Sequence, residues 1–239
     1  TKQWAFTKSL FSFVFFYSHR QRGRRLFMLY CRKGRQPAAF RIFYMDFRGI
    51  CMNKLLMEQF EDCPVIAAVK DEEGLRACLD SEIRIVFVLY GDICSISGIV
   101  GRLKDAGKTV IVHLDLISGL SGKEIAVSFI HSTTAADGII STKPALIRQA
   151  KELGMFTVMR FFAIDSMAFE NIRRQSESVH PDFIEVLPGL MPKVIRRICA
   201  EGRIPVIAGG LITDREDIMA ALNAGAISIS TTNRKVWFM

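Results

Sequence analysis

The residues of this chain that could do chemistry are charged residues, hydroxyl residues and glycines that directly follow short apolar runs. In chain order they are Lys70, Gly91-Asp92, Asp115, Thr142-Lys143, Arg160 with Asp165 just beyond it, Glu185, Gly209-Gly210 and Thr231-Thr232. Cations attract phosphate, carboxylates accept hydrogen bonds from hydroxyl groups, and glycines allow a backbone to approach an anion closely. The mixture is typical of a site for a small phosphorylated ligand. The alternative for any single residue is that it is merely solvated or ion-paired.

The most specific local pattern lies in the C-terminal quarter, where residues 205–212 (PVIAGGLI) are followed by residues 224–232 (AGAISISTT). The glycine pair would bring backbone N–H groups close to an anion, and the threonine hydroxyls would add donors. A short helix after them would direct the positive end of its dipole at the same place. The pattern predicts a phosphate site made by Gly209, Gly210, Thr231 and Thr232. The alternative is that Gly209-Gly210 only makes a tight turn.

Familiar catalytic motifs are absent from the sequence, which has no G-x-S-x-G, no Walker lysine loop, no H-E-x-x-H and no G-x-G-x-x-G after the first apolar run. The six cysteines form no C-x-x-C pair, so neither a metal site nor a disulfide framework is indicated, and a reduced, cytoplasmic setting fits best. Asp115 could form an acid–base pair with Lys143. Glu185 could form one with Lys70. His113 would either line a barrel or be a core histidine with satisfied hydrogen bonds, and we favour the second.

These residues are positioned by a regular alternation of short β-branched runs and longer amphipathic stretches. The eight apolar runs are residues 64–69, 83–90, 109–116, 138–142, 156–164, 183–187, 205–208 and 226–230. Near-continuous apolar strands are buried on both faces, so they predict a parallel sheet covered by helices. Eight strand–helix units predict a single compact (β/α)8 TIM-type barrel with its functional residues where the strands end. We expect short loops and a stunted last helix, with Trp237 and Phe238 covering apolar surface.

Residues 1–51 differ from the rest of the chain in charge and in aromatic content. They contain eleven Lys or Arg and one acid, a charge of +10 within a whole-chain charge of +8, so residues 52–239 carry −2. The apolar stretch in this segment is much shorter than the roughly 20 residues that cross a bilayer, and positive charge follows it instead of preceding it. We interpret residues 1–51 as a basic, aromatic-rich segment that is non-native or disordered, and residues 52–239 as the barrel. A basic arm for nucleic acid is the alternative.

Several long motifs of the predicted barrel carry a family resemblance. They are residues 113–120 (HLDLISGL), 136–143 (ADGIISTK), 160–166 (RFFAIDS), 182–189 (DFIEVLPG), 191–193 (MPK), 205–212, and 230–232 with Trp237. From about Pro64 to Trp237 the chain closely resembles the glycerol-3-phosphate-responsive antiterminators, the regulators of glycerol uptake operons. The resemblance implies a non-enzymatic barrel that binds glycerol 3-phosphate and then acts on the leader of a nascent messenger RNA, preventing premature transcription termination.

The resemblance also assigns roles to the residues at the strand ends. Four of them are expected around the phosphate: Gly209, Gly210, Thr231 and Thr232. Four charged residues are candidates for the glycerol end: Asp115, Lys143, Arg160 and Glu185. The carboxylates would accept hydrogen bonds from ligand hydroxyls, and the cations would supply positive charge near the phosphate.

RNA binding normally rests on clustered Lys and Arg, whereas the predicted barrel has a net negative charge. A local basic patch on the fifth and sixth helices could still serve, formed by Arg173, Arg174, Lys193, Arg196, Arg197 and Arg203. An ordinary solvated helix face would give the same pattern.

Two classes of function stay open. One is a ligand-responsive RNA regulator, monomeric or homo-oligomeric and without a membrane partner, and the other is an enzyme that acts on a phosphorylated polyol or sugar through Lys143 or Glu185.

Overall fold

The computed structural model describes residue 59 and residues 62–239, together with the backbone of strands Ala5–Lys8, Phe11–Gln21 and Arg24–Cys31. The chain divides into two units, Thr1–Lys54 and Leu55–Met239. In the first unit the three strands pair antiparallel in the order in which they occur. The boundary predicted between residues 51 and 52 lies outside the described residues, so the interpretation of residues 1–51 stays a prediction.

Eight parallel strands of the second unit close into a barrel, which confirms the (β/α)8 prediction. They are β1 (Val65–Val69), β2 (Ile85–Val88), β3 (Thr109–His113), β4 (Gly138–Ser141), β5 (Phe156–Phe162), β6 (Phe183–Leu187), β7 (Val206–Gly209) and β8 (Ser228–Thr231). Each strand pairs with its neighbour in the sequence, and β8 pairs with β1 to complete the ring. Because the strands are parallel, their carboxyl ends open on one end of the barrel, which we call the mouth.

Helices connect successive strands around the outside of the barrel. They are α1 (Glu72–Leu79), α2 (Ile96–Asp105), α3 (Glu124–Thr133), α4 (Pro144–Glu152), α5 (Ser166–Val179), α6 (Pro192–Glu201) and α7 (Arg215–Asn223). An aspartate side chain caps three of them by accepting a backbone N–H of the first turn, as Asp165 does from Ala168 at 2.7 Å. Within the described ranges, no helix has the length and apolar composition needed to cross a membrane.

Some predicted strands extend beyond the observed ones because apolar composition alone does not mark where pairing stops. The third run, predicted to reach residue 116, pairs only to His113 and continues as a 3-10 turn, Leu114–Leu116. The fifth run ends at Phe162 instead of residue 164. The difference matters for function, because the turn after β3 carries Asp115.

A 3-10 helix, Arg234–Phe238, takes the place of a full helix after β8, as predicted. Trp237 is buried and donates its Nε1–H to the backbone oxygen of Thr231 at 3.0 Å, which fastens the last turn to β8. Phe238 is 60% exposed, so the prediction that it also covers apolar surface is wrong. Its position at the end of a short helix leaves it without a helix partner on the barrel.

Side-chain alternation along the strands separates two apolar layers. One cluster fills the barrel interior and includes Ile111, Val158 and Phe183, while the other lies between strands and helices. Successive side chains on a strand point to opposite faces, so the residue two positions after an interior residue also points inward. His113, Arg160 and Glu185 follow interior residues in this way and form a polar layer at the mouth.

Candidate functional site

A cluster around Asp115 forms one side of the mouth. The 3-10 turn after β3 brings this carboxylate to the end of β4, where it accepts hydrogen bonds from the Thr142 N–H at 2.8 Å, the Thr142 hydroxyl at 3.1 Å and the Ser141 hydroxyl at 3.0 Å. Burial raises the pKa of Asp115, but these hydrogen bonds outweigh burial and hold the pKa below its ordinary value. Asp115 is therefore an ionised acceptor at neutral pH.

Lys143 stands over this carboxylate, with Nζ 3.5 Å from Asp115 Oδ1 and a side chain that is 49% exposed. The structure thus brings together the pair that the sequence suggested. Gly122, in the loop between β3 and α3, leaves the space in which the ammonium lies, because a Cβ there would collide with Lys143 Nζ. The cation is held at the mouth and remains accessible to a ligand.

A buried network lies deeper in the mouth and joins three strands. Arg160 on β5 donates its Nε–H to Glu185 Oε2 on β6 at 2.6 Å, and Ser230 on β8 donates its hydroxyl to Glu185 Oε1. The suggested pairing of Glu185 with Lys70 is wrong, because Glu185 pairs with Arg160, while Lys70 is exposed after β1. Ser230 was not among the site residues predicted from the sequence. Its register partner, Gly209, was a possible signal, since the two lie side by side on β8 and β7.

Gly209 leaves room for this network. A Cβ at Gly209 would lie 2.6 Å from Glu185 Oε1 and 2.7 Å from Ser230 Oγ. Such distances are shorter than ordinary van der Waals contact, so no other residue fits without a shift of the carboxylate or the hydroxyl. The absence of a side chain at this position is therefore a requirement of the mouth itself, whatever binds there.

His113 completes the inward-facing polar layer. It is 2% exposed, and its Nδ1 is buried without a hydrogen-bond partner in the described structure. Burial, together with the positive charge of Arg160, lowers the pKa of His113 to about 4, although Asp115 acts in the opposite direction. Of the two alternatives for this residue, the favoured one is wrong: His113 lines the barrel, and its buried, neutral imidazole has one unpaired nitrogen in the described structure.

The loops after β7 and β8 meet on the other side of the mouth. The Thr231 hydroxyl donates to the backbone oxygen of Ile212 at 2.8 Å and accepts from the Asn233 N–H at 3.0 Å, which ties the two loops together. Gly210 has a φ of +78°, a conformation that favours glycine. Thr232 is exposed beside this turn. The four residues predicted to surround a phosphate are thus adjacent, on neighbouring strands.

Two acidic residues from the strand ends serve the local backbone. Asp92 accepts hydrogen bonds from the N–H groups of Cys94 and Ser95, and Asp165 caps α5. Hydrogen bonds to Ser95 and Cys94 also lower the pKa of Asp92. Among the described residues, no three His, Cys, Asp or Glu side chains are grouped as a metal site.

The basic residues predicted for RNA lie on adjacent helices on the outer wall of the barrel. All of them are exposed: Arg173 and Arg174 on α5, Lys193, Arg196 and Arg197 on α6, and Arg203 after α6. Arg197 forms an ion pair with Glu201 at 2.8 Å, and its guanidinium lies 4.3 Å from the centre of the Phe169 ring on α5. The Arg197–Phe169 contact therefore joins the two helices, and one cation of the patch is already paired.

Comparison with known proteins adds a family to this geometry. Residues 65–237 match the family model for the glycerol-3-phosphate responsive antiterminator. Over 182 residues the chain is 47% identical to YgcP, an uncharacterised protein of Escherichia coli strain K12, and the match covers 76% of this chain and 95% of YgcP.

Solved structures agree with the family match. The chain is 32% identical to a glycerol uptake operon antiterminator regulatory protein from Listeria monocytogenes, with a TM-score of 0.71, covering 73% of this chain and 95% of that one. A glycerol uptake operon antiterminator-related protein from Thermotoga maritima is 38% identical with a TM-score of 0.64, covering 73% and 98%. A deoxyribose phosphate aldolase from Aeropyrum pernix, 15% identical with a TM-score of 0.57, covers 77% and 95% and shares the fold alone.

Proposed function

Because the chain belongs to the glycerol-3-phosphate responsive antiterminator family, we propose that it binds glycerol 3-phosphate at the mouth of the barrel and then acts on leader mRNA of glycerol utilisation genes. In this proposal the ligand is an effector and not a substrate. Its binding favours a form of the protein that contacts nascent mRNA and prevents premature termination, which would place the protein in the cytoplasm. Ligand control follows if glycerol 3-phosphate binds that form more tightly than the other.

The observation that carries the proposal is the contact between Lys143 and Asp115 at the mouth. Together they present one accessible cation and one ionised carboxylate, 3.5 Å apart. The glycerol end of the ligand has complementary groups, because its hydroxyls donate to a carboxylate and accept charge-assisted hydrogen bonds from an ammonium.

We assign the phosphate to the loops after β7 and β8, with Gly209, Gly210, Thr231 and Thr232 around it. Support comes from the adjacency of these residues and from the left-handed backbone at Gly210, a conformation that favours glycine. Thr231 would contribute through the loop geometry that its hydroxyl maintains, and Thr232 through its own exposed hydroxyl. The glycerol end would then point toward Asp115 and Lys143 across the mouth.

Arg160 and Glu185 would act at the floor of the same site. They are already paired and almost fully buried, so they would form a nearly neutral unit beneath the ligand. A ligand hydroxyl would reach Glu185 only by taking the place of the Ser230 hydroxyl, and Arg160 would add positive potential toward the phosphate. This arrangement favours binding over turnover, because a carboxylate in a salt bridge is a poor general acid.

Calorimetry with glycerol 3-phosphate tests the ligand half of the proposal. We expect saturable binding of glycerol 3-phosphate, with much weaker binding of glycerol or inorganic phosphate alone. Absence of heat at millimolar ligand would overturn it. The enzymatic alternative rests on the same Asp115–Lys143 pair and predicts turnover of phosphorylated trioses or sugars that is abolished in Lys143→Ala. Binding without turnover across such a panel would leave only the regulator.

A further inference from the structure

A groove separates helices α5 and α6 on the outer wall of the barrel, and neither the sequence motifs nor the mouth accounts for it. Its volume is about 400 Å³. Phe169 and Ile172 of α5 form one wall, Ile198 of α6 forms the other, and Ile184 of β6 lies at the floor. The walls are mostly apolar, and the charged residues that line the groove are Arg173, Arg203, Glu177 and Glu201. We call this feature the α5–α6 groove.

The helices that flank the groove carry more basic than acidic side chains. Its basic side chains are Arg173, Arg174, Lys193, Arg196, Arg197 and Arg203, and its acidic ones are Glu170, Glu177 and Glu201. Six cations against three carboxylates give a local excess of +3, whereas residues 62–239 as a whole carry −1. A local positive excess on a net negative body directs a polyanion to this face and away from others.

Two further features suit a flat ring better than an apolar chain. Phe169 is half-buried in the wall and offers an aromatic ring, while the Arg197 guanidinium, which does not line the groove, lies 4.3 Å from the centre of that ring. Ser176 lines the groove, and its hydroxyl is buried without a hydrogen-bond partner in the described structure. That hydroxyl is available for a hydrogen bond with the polar edge of a ring that enters between the two helices.

We propose that the α5–α6 groove binds an unpaired base of single-stranded RNA, with the flanking phosphates on Arg173 and Arg203. Single-stranded RNA is recognised through splayed bases that stack on aromatic or arginine planes and hydrogen-bond along their edges. The apolar walls with Phe169, the buried Ser176 hydroxyl and the two rim arginines supply these elements, and the basic excess of the surrounding helices offsets Glu177 and Glu201 at the rim. The inference rests on the proposed function, because it locates the RNA contact that this function requires.

The groove and the effector site lie on opposite faces of one strand. Ile184 lines the groove, and the next residue, Glu185, faces the mouth and pairs with Arg160. A ligand that moves Glu185 would therefore move the floor of the groove with it. Glycerol 3-phosphate is accordingly expected to change the RNA affinity of the groove.

The experiment uses the full chain and a random-sequence RNA pool that contains 4-thiouridine. The pool is enriched on immobilised protein with and without millimolar glycerol 3-phosphate, so that a rare sequence is not missed. Retained RNA is then crosslinked by light, and the crosslinked peptides are identified by mass spectrometry. We expect crosslinks within α5 and the α6–β7 loop, competition by unlabelled single strands, and little competition by duplex RNA.

Matched variants test the groove directly. Phe169→Leu keeps apolar volume but removes the ring, and it should weaken binding about tenfold, as loss of one base stack does. Arg173→Ala with Arg203→Ala should lower the slope of log affinity against log salt by about 0.7 for each lost phosphate contact. Phe129→Leu, a partly buried phenylalanine of α3 outside the groove, and Arg76→Ala with Arg84→Ala are the controls. Thermal melting confirms that each variant is folded.

The outcomes separate the inference from the proposed function. Crosslinks in the groove together with loss of affinity in Phe169→Leu support the inference. RNA that is enriched but crosslinks elsewhere, or that binds Phe169→Leu and duplex competitors as well as before, overturns the groove and leaves the proposed function intact. No enriched RNA, with or without glycerol 3-phosphate, overturns both.

Discussion

Arg160 and Glu185 are direct partners in the register of β5 and β6, and the Arg160 Nε–H donates to Glu185 Oε2 at 2.6 Å. Their side chains are 9% and 0% exposed, so the ion pair has little solvent around it. Ser230 satisfies the other carboxylate oxygen. Because both charges are desolvated, each depends on the other, and the pair forms the floor of the mouth.

Removing one partner of this pair should destabilise the protein more than removing both. Glu185→Leu leaves the Arg160 charge buried and should lower the free energy of unfolding by about 3–5 kcal/mol, whereas Arg160→Met with Glu185→Leu should lose less. Urea unfolding of the single and double variants measures the coupling. The exposed Arg197–Glu201 pair is the control, with an expected coupling of less than about 1 kcal/mol. Additive effects at Arg160 and Glu185 would show that the two charges do not depend on each other.

Gly209→Ala should destabilise the mouth through a steric clash. The added Cβ would lie 2.6 Å from Glu185 Oε1, and relief of that contact should cost about 1–3 kcal/mol of unfolding free energy. The matched control is Gly101→Ala on α2, where a Cβ would meet nothing within 4 Å. There the same substitution should stabilise the helix by roughly 0.5–1 kcal/mol. Equal effects at the two sites would contradict the packing argument.

Acidification should lower the stability of the folded chain, because His113 is buried in its neutral form. Its pKa is about 4 in the folded chain against an ordinary value of 6.5, so between these pH values the unfolded chain binds a proton that the folded chain does not. The free energy of unfolding should therefore fall as the pH drops through this window, by up to about 1.4 kcal/mol per pH unit. Above the window the contribution of His113 is fully present.

Urea unfolding at a series of pH values checks this prediction. His113→Gln should show a flatter pH dependence than the parent chain between pH 6.5 and about 5. His131→Gln, which changes an exposed histidine of α3, should keep the parent slope. The window lies above the pKa of Asp115, which hydrogen bonds hold below its ordinary value. Identical slopes in His113→Gln and the parent would show that the imidazole is not desolvated.

Lys143→Ala should weaken glycerol 3-phosphate binding without unfolding the protein. The half-exposed ammonium contributes little to stability, but a charge-assisted hydrogen bond to a ligand is worth about 1.5–3 kcal/mol, or roughly tenfold to a hundredfold in affinity. Calorimetry measures the loss. Lys123→Ala, an exposed lysine at the start of α3, is the control of equal charge. Equal affinities of the two variants would remove Lys143 from the ligand site.

The alternation of apolar runs was enough to predict the barrel and the strand ends that form its mouth. Each run is buried on both faces, and eight such runs separated by amphipathic stretches have few other ways to bury their surface. The Asp115–Lys143 contact was also foreseeable, because β3 and β4 are neighbours in any such barrel. Where each strand stops was not, since the apolar residues Leu114 and Leu116 suit a turn as well as a strand.

Only the tertiary structure decided which charges pair and which remain free. Glu185 contacts Arg160 on the adjacent strand and not Lys70, because β1 is separated from β6 by two strands of the ring. The unpaired nitrogen of His113, the space at Gly209 and the groove between α5 and α6 likewise depend on distances across strands and helices. The sequence by itself determined that polar residues would meet at one mouth, through the periods of strand and helix. Register and packing decided their partners, because those are properties of neighbours that lie far apart along the chain.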